Sequence, residues 1–237
     1  MNIAIIGYGK MGHEIAAVAE ERGHEIALVI DKDNAEDLNP ENLSKIDVAI
    51  EFSSPDSAFD NIITCIKSAT PVVSGTTGWL TRWKEASAAC NKYGGGLFYA
   101  SNYSIGVNIL FNINQKLASI MRNFPEYEVS MDETHHIQKL DAPSGTAITL
   151  AEQIIAEIPR KDSWTLEKND PSKIRINATR KGDIKGFHQV TYDSEIDTIS
   201  ISHNAKSRKG FATGAVLAAE YMQNKTGIHN MSDMLNF

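Results

Sequence analysis

Ile3-Ala4-Ile5-Ile6-Gly7-Tyr8-Gly9-Lys10-Met11-Gly12 opens the chain, and its reading decides the fold. Four apolar residues in succession read as a strand buried on both faces, as a parallel sheet requires. Gly7, Gly9 and Gly12 then give the GxGxxG spacing. The first two glycines allow a tight turn and close approach of backbone to a pyrophosphate, and the third allows the next helix to pack tightly on the strand. That helix is predicted over residues 11–21, with Ile15, Val18 and Ala19 on one face and Gly23 as its stop. Its N-terminus supplies free N–H donors and a positive dipole end for a pyrophosphate, which makes Gly7, Tyr8, Gly9, Lys10, Met11 and Gly12 the candidate nucleotide loop. A second strand is predicted over residues 25–30. Asp31 follows it, 19 residues after Gly12, where a carboxylate accepts hydrogen bonds from the hydroxyls of an adenosine ribose. Asp31 favours NAD(H). Lys32 is either an ammonium that partly neutralises a 2′-phosphate or a solvated surface lysine, so NADH and NADPH both remain candidate cofactors.

Working outward, further strands are predicted at residues 46–52, 72–73 and 97–100, with helices at 56–68 and 82–93 between them. Such alternation argues for right-handed βαβ units around a parallel sheet, with ligands at the carboxyl ends of its strands. Ser74-Gly75-Thr76-Thr77-Gly78 follows the fourth strand. Its small hydroxylated residues suit the nicotinamide ribose or carboxamide, although an ordinary loop has the same composition. Beyond Asn102 the rhythm changes. A long helix (Ile109, Leu110, Ile113, Leu117, Ile120) ends before Pro125, a one-sided strand spans 129–132, a helix runs over 145–158, and strands at 174–179, 186–192 and 198–202 succeed one another without helices. A last helix over 211–223 returns to the first domain. The expected architecture is α/β: a Rossmann-like parallel-sheet dinucleotide-binding domain (1–103 and 210–237) plus a smaller α+β substrate and oligomerisation domain (104–209) with a mixed or antiparallel sheet.

Composition excludes several classes of function. The 237 residues are 42% hydrophobic and 22% charged, ordinary globular usage. The formal charge of −7 repels a phosphate backbone, so no nucleic-acid partner is expected. No apolar run reaches the roughly 18 residues of a membrane span, and the first apolar stretch is too short and lacks the basic flank of a signal peptide. A cytoplasmic protein without a membrane partner is expected. Cys65 and Cys90, without CxxC or Cys/His spacing, read as buried thiols inside helices.

The densest chemistry lies in Glu133-Thr-His-His-Ile-Gln-Lys139-Leu-Asp141-Ala-Pro-Ser144-Gly-Thr-Ala147, between the expected end of a strand and the start of a helix. Ser144 is a candidate N-cap, which leaves the N–H groups of Gly145 and Thr146 for a carboxylate or phosphate. His135 and His136 carry protons near neutral pH, and Lys139 can hold an anion or donate a proton. Surface histidines beside a capped helix would need no function. A metal pair would need a third spaced ligand, which the segment lacks, so no metal is expected.

This segment closely resembles the signature of the 4-hydroxy-tetrahydrodipicolinate (dihydrodipicolinate) reductases of the diaminopimelate route to lysine. The resemblance extends through Lys10-Met-Gly12, Gly75-Thr-Thr-Gly78, Ala100 to Asn108, Arg180-Lys-Gly-Asp183 and the stretch from Ser202-His203 to Phe211-Ala212. It implies a two-domain pyridine-nucleotide reductase, commonly a homotetramer joined through the substrate-domain sheets, acting on a small dicarboxylate. By matching position it implies His135 as general acid/base, Lys139 as proton donor and substrate-binding cation, and His136, Gly145 and Thr146 as contacts to the dicarboxylate. Gly75, Thr76 and Thr77 with Ala100, Ser101, Asn102 and Tyr103 would line the nicotinamide. The chain departs from the family pattern in a glycine loop one residue shorter, in Lys10 for a usual Arg, in Ile137 and Gln138 for basic residues, and in a brief polar loop between Asp31 and Ile46. A semialdehyde dehydrogenase would need a cysteine nucleophile on a loop or helix start, and a nucleotide-sensing protein would leave residues 135–146 unexplained.

Overall fold

The computed structural model describes residues 1–167 and 170–237. Lys168 and Asn169, in the polar stretch before the strand expected at 174–179, lie outside the described residues. The chain forms two compact units, Met1–Ile105 with Lys209–Phe237, and Gly106–Arg208.

The first unit starts with β1 (Asn2–Ile6), α1 (Lys10–Glu21) and β2 (Glu25–Ile30). Instead of a brief loop, residues 32–43 then hold a 3-10 turn, Lys32–Asp37, and α2 (Pro40–Leu43). The difference has a local cause: Asp31 accepts from the Lys32 N–H and Asn39 from the Asn42 N–H, so each polar side chain starts a helical turn. β3 (Val48–Glu51), α3 (Pro55–Lys67), β4 (Val72–Ser74), α4 (Trp83–Tyr93) and β5 (Gly96–Tyr99) complete the alternation. The second unit contains nearly all of α5 (Ile105–Met121), then β6 (Glu128–His135), α6 (Gly145–Glu157), β7 (Ser163–Thr165), β8 (Lys173–Arg180), β9 (Phe187–Asp193) and β10 (Thr198–Asn204). The chain ends in the first unit with α7 (Lys209–Met222), β11 (Gly227–His229) and α8 (Met231–Leu235). The short β7, β11 and α8 carry no periodicity that a sequence reading would detect.

The first sheet has the order β11-β5-β4-β3-β1-β2 with every neighbouring pair parallel, so the strand order reverses beside β1. Both faces of β1 are covered. Ile3 and Ile5 pack with Ile15, Val18 and Ala19 of α1 and Ala215, Val216 and Ala219 of α7. Ala4 and Ile6 pack with Ile62, Cys65 and Ile66 of α3 and Ala86 and Cys90 of α4. This two-sided burial is the physical reason why β1 is apolar without alternation. Gly214 of α7 is required by contact, since a Cβ there would lie 1.7 Å from the Tyr103 carbonyl oxygen.

The second sheet, ordered β10-β9-β6-β8-β7, is mixed: β9 pairs antiparallel with β10 and β6, while β8 pairs parallel with β6 and β7. Val129, Met131, Ile174, Ile176, Val190 and Tyr192 share a core with Ala147, Leu150 and Ile154 of α6 and Leu110 and Ala118 of α5. β6 overturns one expectation. It does not stop at 132 but runs through Glu133 and Thr134 to His135, because β8 and β9 hydrogen-bond it on both sides as far as those residues. Its inward positions are Val129, Met131, Glu133 and His135, all buried, so the two-residue alternation continues while its inward residues change from apolar to ionisable.

Candidate active site

At the carboxyl end of the first sheet, the glycines divide their work. Gly7 has φ +92°, and a Cβ there would sit 2.2 Å from the Phe52 carbonyl oxygen. A Cβ on Gly12 would sit 2.3 Å from the Gly7 carbonyl oxygen. Both positions are sterically closed. Gly9, the N-cap of α1, makes no side-chain cap, and a Cβ there would meet nothing within 4 Å. The first turn of α1 therefore opens onto free space, as a backbone cradle for a pyrophosphate should. A cavity of about 660 Å³ lies here, lined by Gly7, Tyr8 and Gly9, by Asp31 and Lys32, and by Ala35, Phe52, Ser53, Ser54, Ser57 and Asn61. Lys10 is exposed at the start of α1, Met11 is half-buried, and the Tyr8 ring packs against His13 with centroids 4.0 Å apart and the ring planes inclined at 56°. The Asp31 carboxylate caps the Lys32 N–H at 2.9 Å, while the Asn34 side chain accepts from the Asp31 N–H at 2.8 Å. This fixes the acid at the cavity wall.

The other expected nucleotide residues have mixed placements. Thr77 and Ser101 are exposed and Gly75 and Asn102 half-buried. Thr76 is buried and its hydroxyl donates to Glu51 at 2.9 Å. Ala100 is buried. Tyr103 is 2% exposed and donates its hydroxyl to the Ser74 carbonyl oxygen at 2.7 Å. Its side chain thus belongs to the core, which pushes its phenol well above the usual range. Sequence reading passed over Phe52, Ser53, Ser57 and Asn61. Their signal was the Ser54-Pro55 helix start at the end of β3, which puts that turn and the exposed side of α3 beside the switch in strand order.

In the second unit, the end of β6 carries a buried polar cluster. The Glu133 carboxylate accepts from the Ser144 N–H at 3.1 Å and from Arg180 Nη2 at 3.1 Å. His135 Nδ1 lies 3.5 Å and His188 Nε2 3.8 Å from it. The two imidazoles pack edge to face with centroids 5.0 Å apart. Burial alone would raise the Glu133 carboxyl, but hydrogen bonds from Ser144 and Arg180 and the adjacent His135 outweigh it and hold it below the usual range. Burial pushes the His135 imidazole down, against the opposing pull of Glu133 and with help from Lys139, Arg180 and His136. His188 falls to about 4, first through burial and then through His135. Gly186 approaches this imidazole closely: a Cβ there would lie 3.2 Å from His135 Nε2.

The remaining residues of the segment lie on the following loop and helix. Lys139 Nζ holds the exposed Asp141 carboxylate at 2.8 and 2.9 Å, and this contact lowers the Asp141 carboxyl. Arg180 braces the loop, donating to the main-chain oxygens of Lys139 and Asp141 as well as to Glu133. Ser144 caps α6 through the Ala147 N–H at 3.3 Å, and its hydroxyl meets His188 Nε2 at 3.1 Å. Gly145 is exposed at the helix start with open space where a side chain would be, and Thr146 is half-buried beside it. His136 is half-buried and takes no part in the Glu133 cluster. Arg180 and His188 were the residues that sequence reading left without a role. Only strand pairing reveals them, since His135 sits opposite Arg180 on β8 and Glu133 opposite His188 on β9.

One donor each from Glu133, His135 and His188 lie within 4.8 Å of one another, a spacing that a metal ion can use. Arg180, however, already sets a cation on Glu133. Both thiols are buried, and burial drives the Cys65 thiol far above its ordinary value, the reverse of an activated nucleophile.

An open parallel sheet with an uncapped glycine turn, followed by a mixed-sheet unit carrying a buried carboxylate and imidazole cluster, defines a two-domain dinucleotide-dependent oxidoreductase. Residues 1–103 match the family described as dihydrodipicolinate reductase, N-terminus, and residues 106–235 match dihydrodipicolinate reductase, C-terminus. The chain belongs to the dihydrodipicolinate reductase family. It is 51% identical over 237 residues, all of this chain and 98% of the relative, to the 4-hydroxy-tetrahydrodipicolinate reductase of Christiangramia forsetii. To the 4-hydroxy-tetrahydrodipicolinate reductase of Pseudoalteromonas atlantica it is 36% identical, over 84% of this chain and 77% of the relative. Among solved structures, the dipicolinate-bound dihydrodipicolinate reductase from Paenisporosarcina sp. TG-14 superposes with a TM-score of 0.78 at 25% identity, covering 98% of each chain. Among the described residues, no helix is long and apolar enough to cross a membrane.

Proposed function

We propose that the chain reduces 4-hydroxy-tetrahydrodipicolinate to tetrahydrodipicolinate, with NADH or NADPH as reductant, in the diaminopimelate route to lysine. The observation that carries this reading is the Glu133 to Ala147 segment, with a buried His135, an ammonium at Lys139 and a capped helix start in sequence. It stands in a chain 51% identical over its whole length to a 4-hydroxy-tetrahydrodipicolinate reductase. A bound reduced nicotinamide supplies a hydride to C4 of the ring once the hydroxyl has left as water. The residues of the chain do the rest. Lys139 exchanges its exposed partner Asp141 for a substrate carboxylate, an exchange that is cheap because exposed ion pairs contribute little. His136 and the main chain at Gly145 and Thr146 receive the second carboxylate. His135 moves the proton, assisted by Lys139, when the enamine left by hydride addition is protonated at carbon.

Asp31 would hold the ribose hydroxyls of NADH. Lys32 lines the same cavity and makes no ion pair among the described residues, which supports acceptance of the 2′-phosphate of NADPH as well. The Arg180 guanidinium on Glu133 supports catalysis without a metal. We read the protein as cytoplasmic, where both nucleotides and the soluble substrate are available, with no nucleic-acid or membrane partner. A homotetramer is supported by the second sheet, whose core residues lie on the side of α5 and α6, leaving β10 largely exposed. Purified protein mixed with enzymatically generated substrate should consume the absorbance of the reduced nicotinamide. No turnover with either nucleotide overturns the reading.

A further inference from the structure

Glu51 ends β3 and is 0% exposed. A buried carboxylate is costly unless it is paired or fully hydrogen-bonded. Among the described residues no Lys, Arg or His forms an ion pair with Glu51; hydrogen-bond donors surround it instead. The Ser53 N–H donates to Oε1 at 3.0 Å, and the Ser53 hydroxyl donates to the same atom. The Ser74 hydroxyl donates to Oε2 at 2.8 Å and the Thr76 hydroxyl to Oε1 at 2.9 Å. Thr76 Oγ1 in turn accepts from the Ser53 N–H at 2.8 Å, closing the ring of contacts. These donors belong to the end of β4 and to the turns that follow β3 and β4, so one carboxylate ties two adjacent loops at the carboxyl edge of the sheet.

Packing seats the clamped turn against Phe52. A Cβ on Gly75 would lie 2.2 Å from the Phe52 ring, and Gly7 rests on the Phe52 main chain. Tyr103 hydrogen-bonds the Ser74 carbonyl oxygen. Stability alone does not call for a charge here, because an apolar side chain of similar volume in a buried site is commonly as stable. What the carboxylate adds is an acceptor that fixes where the Ser53, Ser74 and Thr76 hydroxyls donate.

We propose that Glu51 is a positioning residue for the nicotinamide half of the dinucleotide: through Ser53, Ser74 and Thr76 it sets the Gly75–Thr77 turn at the distance that the nicotinamide requires. This rests on the nucleotide reading given under Proposed function. The Glu51 carboxylate hydrogen-bonds neither Asp31 nor residues 7–12, and among its donors only Ser53 lines the cavity beside them. Loss of the clamp therefore weakens NADH while sparing ADP-ribose, which lacks the nicotinamide.

The test is calorimetric binding of NADH and ADP-ribose to the wild-type chain and to Glu51→Gln and Ser74→Ala. In Glu51→Gln the NADH Kd should rise about tenfold or more while the ADP-ribose Kd stays within about twofold. Ser74→Ala should shift in the same direction by less. Unchanged NADH binding, or equal weakening of both ligands as a general loss of structure would give, overturns the proposal. If Glu51→Gln does not fold, Ser74→Ala decides by the same criterion. A wild-type chain that binds neither ligand removes the nucleotide reading, and this proposal with it.

Discussion

His135 and Lys139 are separated by four positions and by opposite environments, one 8% exposed at the end of a strand, the other on a loop and paired with an exposed acid. Their substitutions should separate accordingly. His135→Gln should lower kcat by about a hundredfold or more with KM little changed, because proton transfer is made only in the transition state. Lys139→Ala should damage both kcat and KM, because the ammonium also holds the substrate in the ground state. Steady-state kinetics with substrate varied at saturating nucleotide distinguish these patterns, and normal kinetics in both variants would refute the assignment. His188 yields a prediction about stability. Its folded pKa of about 4 lies below the ordinary 6.5, so the unfolded chain binds more protons between these values, and stability falls as pH drops through that window. The shift corresponds to about 3 kcal/mol at its acid limit. His135 and His203, both also lowered, act in the same sense, and Glu133, held below its usual range, extends the loss to more acid pH. Denaturation midpoints measured from pH 7 to 4 should fall steeply in the wild type and less steeply in His188→Gln.

Among the elements, the β1 to α1 turn permits a clean experiment because its glycines face different things. Gly12→Ala forces a Cβ against the Gly7 carbonyl oxygen and should cost stability, a few kcal/mol as overpacking does, together with nucleotide binding. Gly9→Ala meets open space, so its midpoint should stay within about 1 kcal/mol of wild type while NADH binding weakens, since the added methyl occupies the space a pyrophosphate would fill. Thermal melts paired with NADH titrations check both. The legibility of elements followed the same logic. β1 and α1 were readable because burial on both faces and an amphipathic helix leave strong patterns, and β2 because its apolar residues continue to Ile30 directly before Asp31. β6 was readable only to residue 132, because Glu133 and His135 keep the inward alternation with ionisable side chains that hydropathy counts as outward. The turns at 32–43 were missed since their cause lies in single capping side chains.

The molecule as a whole has a second sheet whose helices cover one side, and β10 at its edge exposes Ile199 at 37%. Light scattering of the purified chain should give four times the chain mass. Ile199→Asp, which plants a charge on that strand, should reduce the assembly to smaller species. A wild-type monomer, or an assembly indifferent to the substitution, would exclude association through this sheet. The net charge of −7 has a place in this picture, because a dicarboxylate then depends on local cations rather than on the overall field, and Lys139 and Arg180 are gathered in or beside one segment.

The order of βα units, the glycine turn followed by Asp31 after β2, and the α6 start capped by Ser144 were determined by the sequence alone, since each depends on local periodicity, glycine spacing or capping. Only the tertiary structure brought Arg180 and His188 to Glu133, Thr76 and Ser74 to Glu51, and the Tyr103 ring into the core. Those relations join residues 29 to 55 positions apart through strand pairing and loop packing, or, for Thr76 and Ser74, 23 to 25 apart through a shared buried carboxylate. No pattern along the chain encodes them, because a buried charge selects its partners by proximity in space and by the cost of being left without one.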